Sequence, residues 1–129
     1  MANTDLSSAT IGQASINVHD MHRAVTFYRD ALGMKFLFEA GPKMAFFECG
    51  GVRLMLAIAE KPEFDHPGSI LYFKVADIQA VAATLESRGV RLEGPPHLIA
   101  AMSDHDLWMA FFRDTEGNLL ALMSEVARS

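Results

Sequence analysis

The apolar positions of this chain change period several times, and each change marks an element. Between Ile11 and Val18, Ala14, Ile16 and Val18 alternate with Gln13, Ser15 and Asn17. That two-residue period predicts a strand with one packed and one polar face. From Met21 the apolar residues fall at Met21, Ala24, Val25, Tyr28, Ala31 and Leu32, a helical stripe. Asp20 stands where an N-cap accepts from the first free amides, and Gly33 supplies a left-handed stop. Three strands are expected next, near 35–40, 44–48 and 52–58, with Gly41-Pro42 and Gly50-Gly51 as the turns between them.

The order then repeats. Residues 60–68, carrying Pro62 and Pro67, break any regular element and predict a linker. A strand over 70–75 leads to Asp77, a second capping aspartate, and a helix whose stripe is Ile78, Val81, Ala82 and Leu85, ended by Gly89. Strands follow near 91–92, 97–100, 107–113 and 119–124. Met44-Ala45-Phe46-Phe47 returns as Met109-Ala110-Phe111-Phe112, and each copy runs through a glycine-bearing turn into an apolar strand, Leu54-Met55-Leu56 and Leu120-Ala121-Leu122. The chain is one βαβββ unit written twice. Module 1 covers about 11–59, module 2 about 69–125, within a single domain of 1–129. The predicted fold class is α+β: two tandem modules in which a helix covers one face of each sheet and the other face curls into a cup suited to a ligand.

Composition narrows the partners. Of 129 residues, 50% are hydrophobic and 21% charged, a globular balance. A net charge of −5 without a basic run argues against nucleic acid. The lone Cys49 rules out an internal disulfide and suits a reducing compartment. The first ten residues lack the basic head and apolar stretch of a signal peptide, and no apolar run reaches membrane-spanning length. A cytoplasmic protein with neither a membrane nor a nucleic-acid partner is expected.

Two motifs carry a family resemblance. Val18-x-Asp20, followed by Ala24-x-x-Phe27-Tyr28-Arg29-Asp30-x-Leu32-Gly33, resembles the opening signature of the vicinal oxygen chelate superfamily, which includes glyoxalase I, bleomycin-resistance proteins, methylmalonyl-CoA epimerase and extradiol dioxygenases. Asp114-Thr115-Glu116-Gly117-Asn118-Leu119 resembles the D-P-D-G-N turn before that family's last strand. The likeness runs from about Ile11 to Glu125. It implies the two-module cup, and up to four metal ligands on the inward faces of the first and last strands of each module. Counted from the Val-x-Asp landmark, the first-strand positions fall on Gln13 and Ile70; the last-strand positions are Met55 and Ala121. Gln13 offers an oxygen and Met55 only a soft thioether, while Ile70 and Ala121 offer no lone pair. A site needing three or more protein ligands is not met, so no metal and no cofactor are expected.

The resemblance then implies a cup that binds an organic molecule by apolar burial and stacking, as bleomycin-resistance proteins sequester their ligand. Gln13, Ser15 and Asn17 line the unpacked face of the first strand, and Tyr72 and Lys74 hold the matching parity in the second module. Parity puts either Trp108, Ala110 and Phe112 or Met109 and Phe111 on the concave side; Trp108 is expected inward, with its indole as stacking face and N–H donor, and the matching parity places Ala45 and Phe47 inward. Met55 and Met123 are expected to line the cavity, and His97, after Pro95-Pro96, to overhang its mouth. The candidate ligand contacts are therefore Gln13, Asn17, Phe47, Met55, Ile70, Tyr72, His97, Trp108 and Ala121; no catalytic residue is assigned. His66, His97 and His105 are expected on loops, with Asp104-His105-Asp106 a solvated cluster. His19, His22 and Glu48 are expected at the surface, and Glu48 blunts the Cys49 thiol. A homodimer with its cups near the two-fold axis is expected. The rival reading is a glyoxalase-like lyase or isomerase, using a rebuilt metal site or metal-free acid–base chemistry through Tyr72 or His97. A blander third is an interaction module whose cup is filled by its own side chains.

Overall fold

The computed structural model describes residues 4–127; part of the expected N-terminal leader, residues 1–3, lies outside the described residues. The order is β1 (Gln13–Asn17), α1 (Met21–Thr26), β2 (Lys35–Glu39), β3 (Met44–Cys49) and β4 (Val52–Ala57), then β5 (Leu71–Lys74), α2 (Ile78–Ser87), β6 (His97–Ala101), β7 (His105–Arg113) and β8 (Leu119–Ala127). This is the βαβββ unit twice. The sheets have matching orders, β1-β4-β3-β2 and β5-β8-β7-β6, and in each the first strand runs parallel to the last.

Local chemistry sets the helix ends. The Asp20 side chain accepts from the Arg23 amide at 3.0 Å, and Asp77 from the Ala80 amide at 3.1 Å. α1 widens into a π-helical turn over Phe27–Ala31, in which the Leu32 amide reaches back to the Phe27 carbonyl at 2.9 Å. Gly33 and Gly89 then turn the chain at φ of 75° and 88°, where a Cβ would be strained. The expected strand at 91–92 is reduced to one bridge, Leu92 to Phe112. The linker holds a single helical turn, Pro62–Phe64.

One apolar core draws on both modules. Ile16, Val18, Ala24, Val25, Tyr28, Ala45, Phe47, Leu54 and Leu56 from the first join Ile78, Ala82, Leu85, Ala110, Phe112, Leu120 and Leu122 from the second. The helix-bearing faces of the sheets are thus sealed together, and the opposite, inner faces are left for other uses.

That core corrects two orientations. Phe47 is 0% exposed. It pairs with Leu54 across β3 and β4 and packs its ring against Tyr28 and Phe36 at 5.9 and 5.5 Å. Trp108 pairs with Ser124, whose hydroxyl donates to the Ala76 carbonyl, and packs against the same core. Both side chains therefore lie on the helix side. The inward residues of the repeated tetrad are Phe46 and Phe111, opposite Met55 and Ala121.

The module contact is polar and specific. The buried Asp114 accepts from the Tyr28 hydroxyl at 2.7 Å and from the Glu116 and Asn118 amides at 2.8 Å. Glu116 accepts from the His19 and Asp20 amides and from Arg23 Nε, at 2.8 to 2.9 Å. The turn before β8 thereby caps the helix of the other module. Burial alone would raise the Glu116 carboxyl; the bonds from Arg23, His19 and Asp20 outweigh it and hold the group at about 2. Burial of the Tyr28 phenol, then the nearby Asp114 carboxylate, pushes its ionisation far upward. Tyr28 is a neutral donor.

Candidate functional site

Strand register lays out the inner faces row by row. On the first sheet, one row runs Gln13–Arg53–Glu48–Lys35 and the next Ser15–Met55–Phe46–Phe38. Asn17, Ala57 and Met44 follow. The first row is polar and charged, the second apolar and aromatic. Gln13 Nε2 points to Met55 Sδ at 3.8 Å, Phe38 and Phe46 approach at 4.8 Å between centroids, and the Arg53 guanidinium lies 5.6 Å from the centre of the Phe46 ring.

On the second sheet, Tyr72, Ala121 and Phe111 form one row, and Lys74, Met123, Met109 and His97 the next. Tyr72 meets Phe111 edge-on at 6.2 Å, and His97 lies over the same ring at 6.4 Å. Ile70 precedes Tyr72 on that face by strand alternation and is partly exposed. Six expected contacts, Gln13, Met55, Ile70, Tyr72, His97 and Ala121, thus project from the inner faces. Phe47 and Trp108 do not.

Asn17 has a different use. Its amide nitrogen donates to the Phe64 and His66 carbonyls at 2.7 and 3.0 Å, tying the linker to β1. Beside it a cleft of about 480 Å³ runs between the modules, bordered by Asn17, His19, Asp65, Ile70 and Asn118. His19 Nε2 stands 2.9 Å from both Asp65 oxygens, so this exposed histidine is engaged.

His66 lies on the linker and His22 is exposed, as expected, but two histidines differ from expectation. His97 and His105 open strands β6 and β7 and are not on loops. The His105 ring lies between Asp104 at 2.7 Å and Glu125 at 3.1 Å, and Glu125 also pairs with Lys74. The cluster is therefore a side-chain chain running onto the second inner face. Cys49 is a poor nucleophile: burial first, then the Glu48 charge, pushes its thiol upward.

The donor set can be weighed for a metal. Met55 and Ala121 precede the buried Leu56 and Leu122 and so occupy inward last-strand positions. With Gln13 and Ile70 they supply one amide, one thioether and two hydrocarbons, which do not fit a divalent ion that needs three or more hard or imidazole ligands. Among the described residues, no group of three His, Cys, Asp or Glu is placed to hold an ion.

Comparison with known proteins decides the family. The family model "Glyoxalase/Bleomycin resistance protein/Dioxygenase superfamily" matches residues 10–122. The chain belongs to this superfamily. The uncharacterized protein YraH of Bacillus subtilis is 28% identical over 85% of this chain and 94% of its own. Lactoylglutathione lyase from Agrobacterium tumefaciens superposes with a TM-score of 0.74 at 19% identity, over 92% of this chain and 95% of that one. A superfamily member from Sphaerobacter thermophilus gives 0.73 at 24% identity, over 91% and 98%. At such identities the two structural likenesses establish the fold alone.

Phe46, Phe38 and Arg53 were not singled out by the sequence, and Met109 with Phe111 only as the parity alternative to Trp108. In an all-apolar tetrad both strand faces are hydrophobic, so alternation gives no parity. The usable signal lay in the neighbouring strands: Leu54 and Leu56 must pack under α1, which sends their partners Phe47 and Ala45 to the same side.

Proposed function

We propose that this superfamily member is a metal-independent small-molecule-binding protein that holds an apolar or aromatic organic ligand on its inner faces, acting by sequestration. The observation that carries the reading is the donor set at the four expected metal-ligand positions, where Gln13 alone offers an oxygen, Met55 a thioether and Ile70 and Ala121 hydrocarbon, while aromatic rings gather around them. Phe38 and Tyr72, each 45% exposed, supply stacking faces, Met55 and Met123 adaptable thioethers, and Gln13 a polar anchor. Among the described residues no helix is long and apolar enough to cross a membrane; the reading places the protein in the cytoplasm on its lone half-buried thiol.

A homodimer belongs to the same reading. Phe38, Met44, Tyr72, Ile99 and Met102 are exposed on or beside the inner faces, an apolar surface suited to cover by a partner. A second copy would cover it and enclose a ligand between sheets.

Native mass spectrometry of protein purified without added metal, with elemental analysis, tests both points. A dimer mass with a co-purified organic adduct and no stoichiometric metal is expected. Stoichiometric zinc, nickel or iron would overturn the reading. The Lys74–Glu125–His105 chain favours a second one, a metal-free acid–base lyase or isomerase. Lactoylglutathione formation in chelator-treated buffer, lost in His105→Gln, would establish it.

A further inference from the structure

Building on the small-molecule reading, we propose that the ligand is an organic anion, an apolar or aromatic carboxylate whose oxygens are held by Arg53 while its body lies along Phe38, Phe46 and Met55. The polar row on the first inner face has a particular charge order. Lys35, Glu48 and Arg53 stand side by side on adjacent strands, with Gln13 beyond Arg53, so one carboxylate lies between two cations. Glu48 is directly opposite Arg53, yet no ion pair forms between them within 4.0 Å.

Among the described residues four other cations are matched by carboxylates, whereas Lys35, Lys43, Lys61, Arg88 and Arg91, like Arg53, have none within 4.0 Å. Arg23 pairs with Glu116, Arg29 with Asp30, Lys74 with Glu125 and Arg113 with Glu93. Among the described residues Arg53 has no such carboxylate, and its guanidinium lies across the Phe46 ring instead. A guanidinium drawn to an aromatic face keeps a fork of N–H donors for a second partner. That fork matches a carboxylate in two parallel bonds, and the Gln13 amide beside it adds a neutral partner. The row next to it is apolar. A cationic fork bordering an aromatic strip suits a ligand that is charged at one end and apolar at the other. The same place in the second sheet is different: Arg113 is tied to Glu93, beside Leu119. The anion-reading function is thus built into one module only.

Titration calorimetry on the full chain tests this with two probes of one shape, naphthalene-2-carboxylate and naphthalene-2-methanol, alongside amide chemical-shift mapping. Wild type is expected to bind the carboxylate about tenfold or more tightly than the alcohol, as a charge-assisted bidentate contact gives. Arg53→Gln should abolish that preference, Arg53→Lys restore part of it, and Arg29→Gln, a surface control, leave it intact. Circular dichroism confirms folding of each variant. Equal affinity for both probes, or a carboxylate preference that survives Arg53→Gln, overturns the anion anchor and leaves small-molecule binding standing. If neither probe shifts the amides of β3 and β4, both readings fall.

Discussion

Two adjacent phenylalanines in the repeated tetrad do opposite jobs. Phe47 and its counterpart Phe112 are sealed in the core at 0% and 1% exposure, whereas Phe46 and Phe111 look onto the inner faces. Truncating a fully buried ring removes transfer energy and leaves a cavity, so Phe47→Ala is expected to lower unfolding free energy by about 3–5 kcal/mol. Phe46, 8% exposed beside Phe38 and Arg53 and outside the shared core, should cost less on truncation to Ala and also weaken ligand binding. Urea unfolding with parallel calorimetry separates the two, and a larger stability loss at Phe46 would refute the assigned orientation. Tyr28 acts through one atom. Its hydroxyl is one of the donors on the buried Asp114 carboxylate, so Tyr28→Phe should cost about 1–2 kcal/mol in urea unfolding while keeping the fold.

Among the elements, the turn before β8 is the clamp between modules. Glu116 holds the start of α1 through two backbone amides and Arg23, which is why its carboxyl sits at about 2 against an ordinary 4.5. Between those values the unfolded chain takes up the proton and the folded one does not, so stability falls as pH drops from about 4.5 towards 2. Glu116→Gln should flatten this part of the curve of urea midpoint against pH; an unchanged slope would assign the acid sensitivity elsewhere. Much of the element order could be read from local chemistry. Asp20 and Asp77 cap helices, Gly33 and Gly89 end turns, and Pro62 with Pro67 marks a linker. Strand ends were less legible: β7 begins at His105 and β8 runs to Ala127 because those residues pair with each other, a contact between distant positions. The tie from Asn17 to the linker carbonyls is likewise a long-range bond that local pattern does not encode.

At the scale of the whole molecule, two helix-bearing faces close on one core, and the remaining faces present aromatic rows. A chain with Gln13, Met55, Ile70 and Ala121 where its relatives' ligands are expected should not depend on divalent ions. Chelator dialysis is expected to leave the thermal midpoint unchanged, and added zinc or nickel to shift it by less than a degree or so, since a ligand that does not bind the native state cannot stabilise it. A saturable rise on metal titration would contradict this. Assembly provides a second check: analytical ultracentrifugation should report a dimer, and Phe38→Asp, which places a charge on the exposed apolar strip, should shift the population towards monomer.

Periodicity, caps, glycine stops and the written-out duplication were enough by themselves to determine the βαβββ order and its repetition. Those are properties of residue type and spacing, which act locally. Which phenylalanine faces inward, where Trp108 packs, how His105 joins Glu125 and why Arg53 lies over Phe46 were decided only in three dimensions. In strands apolar on both sides the alternation carries no information, and orientation follows from which face meets a helix placed by a distant part of the chain.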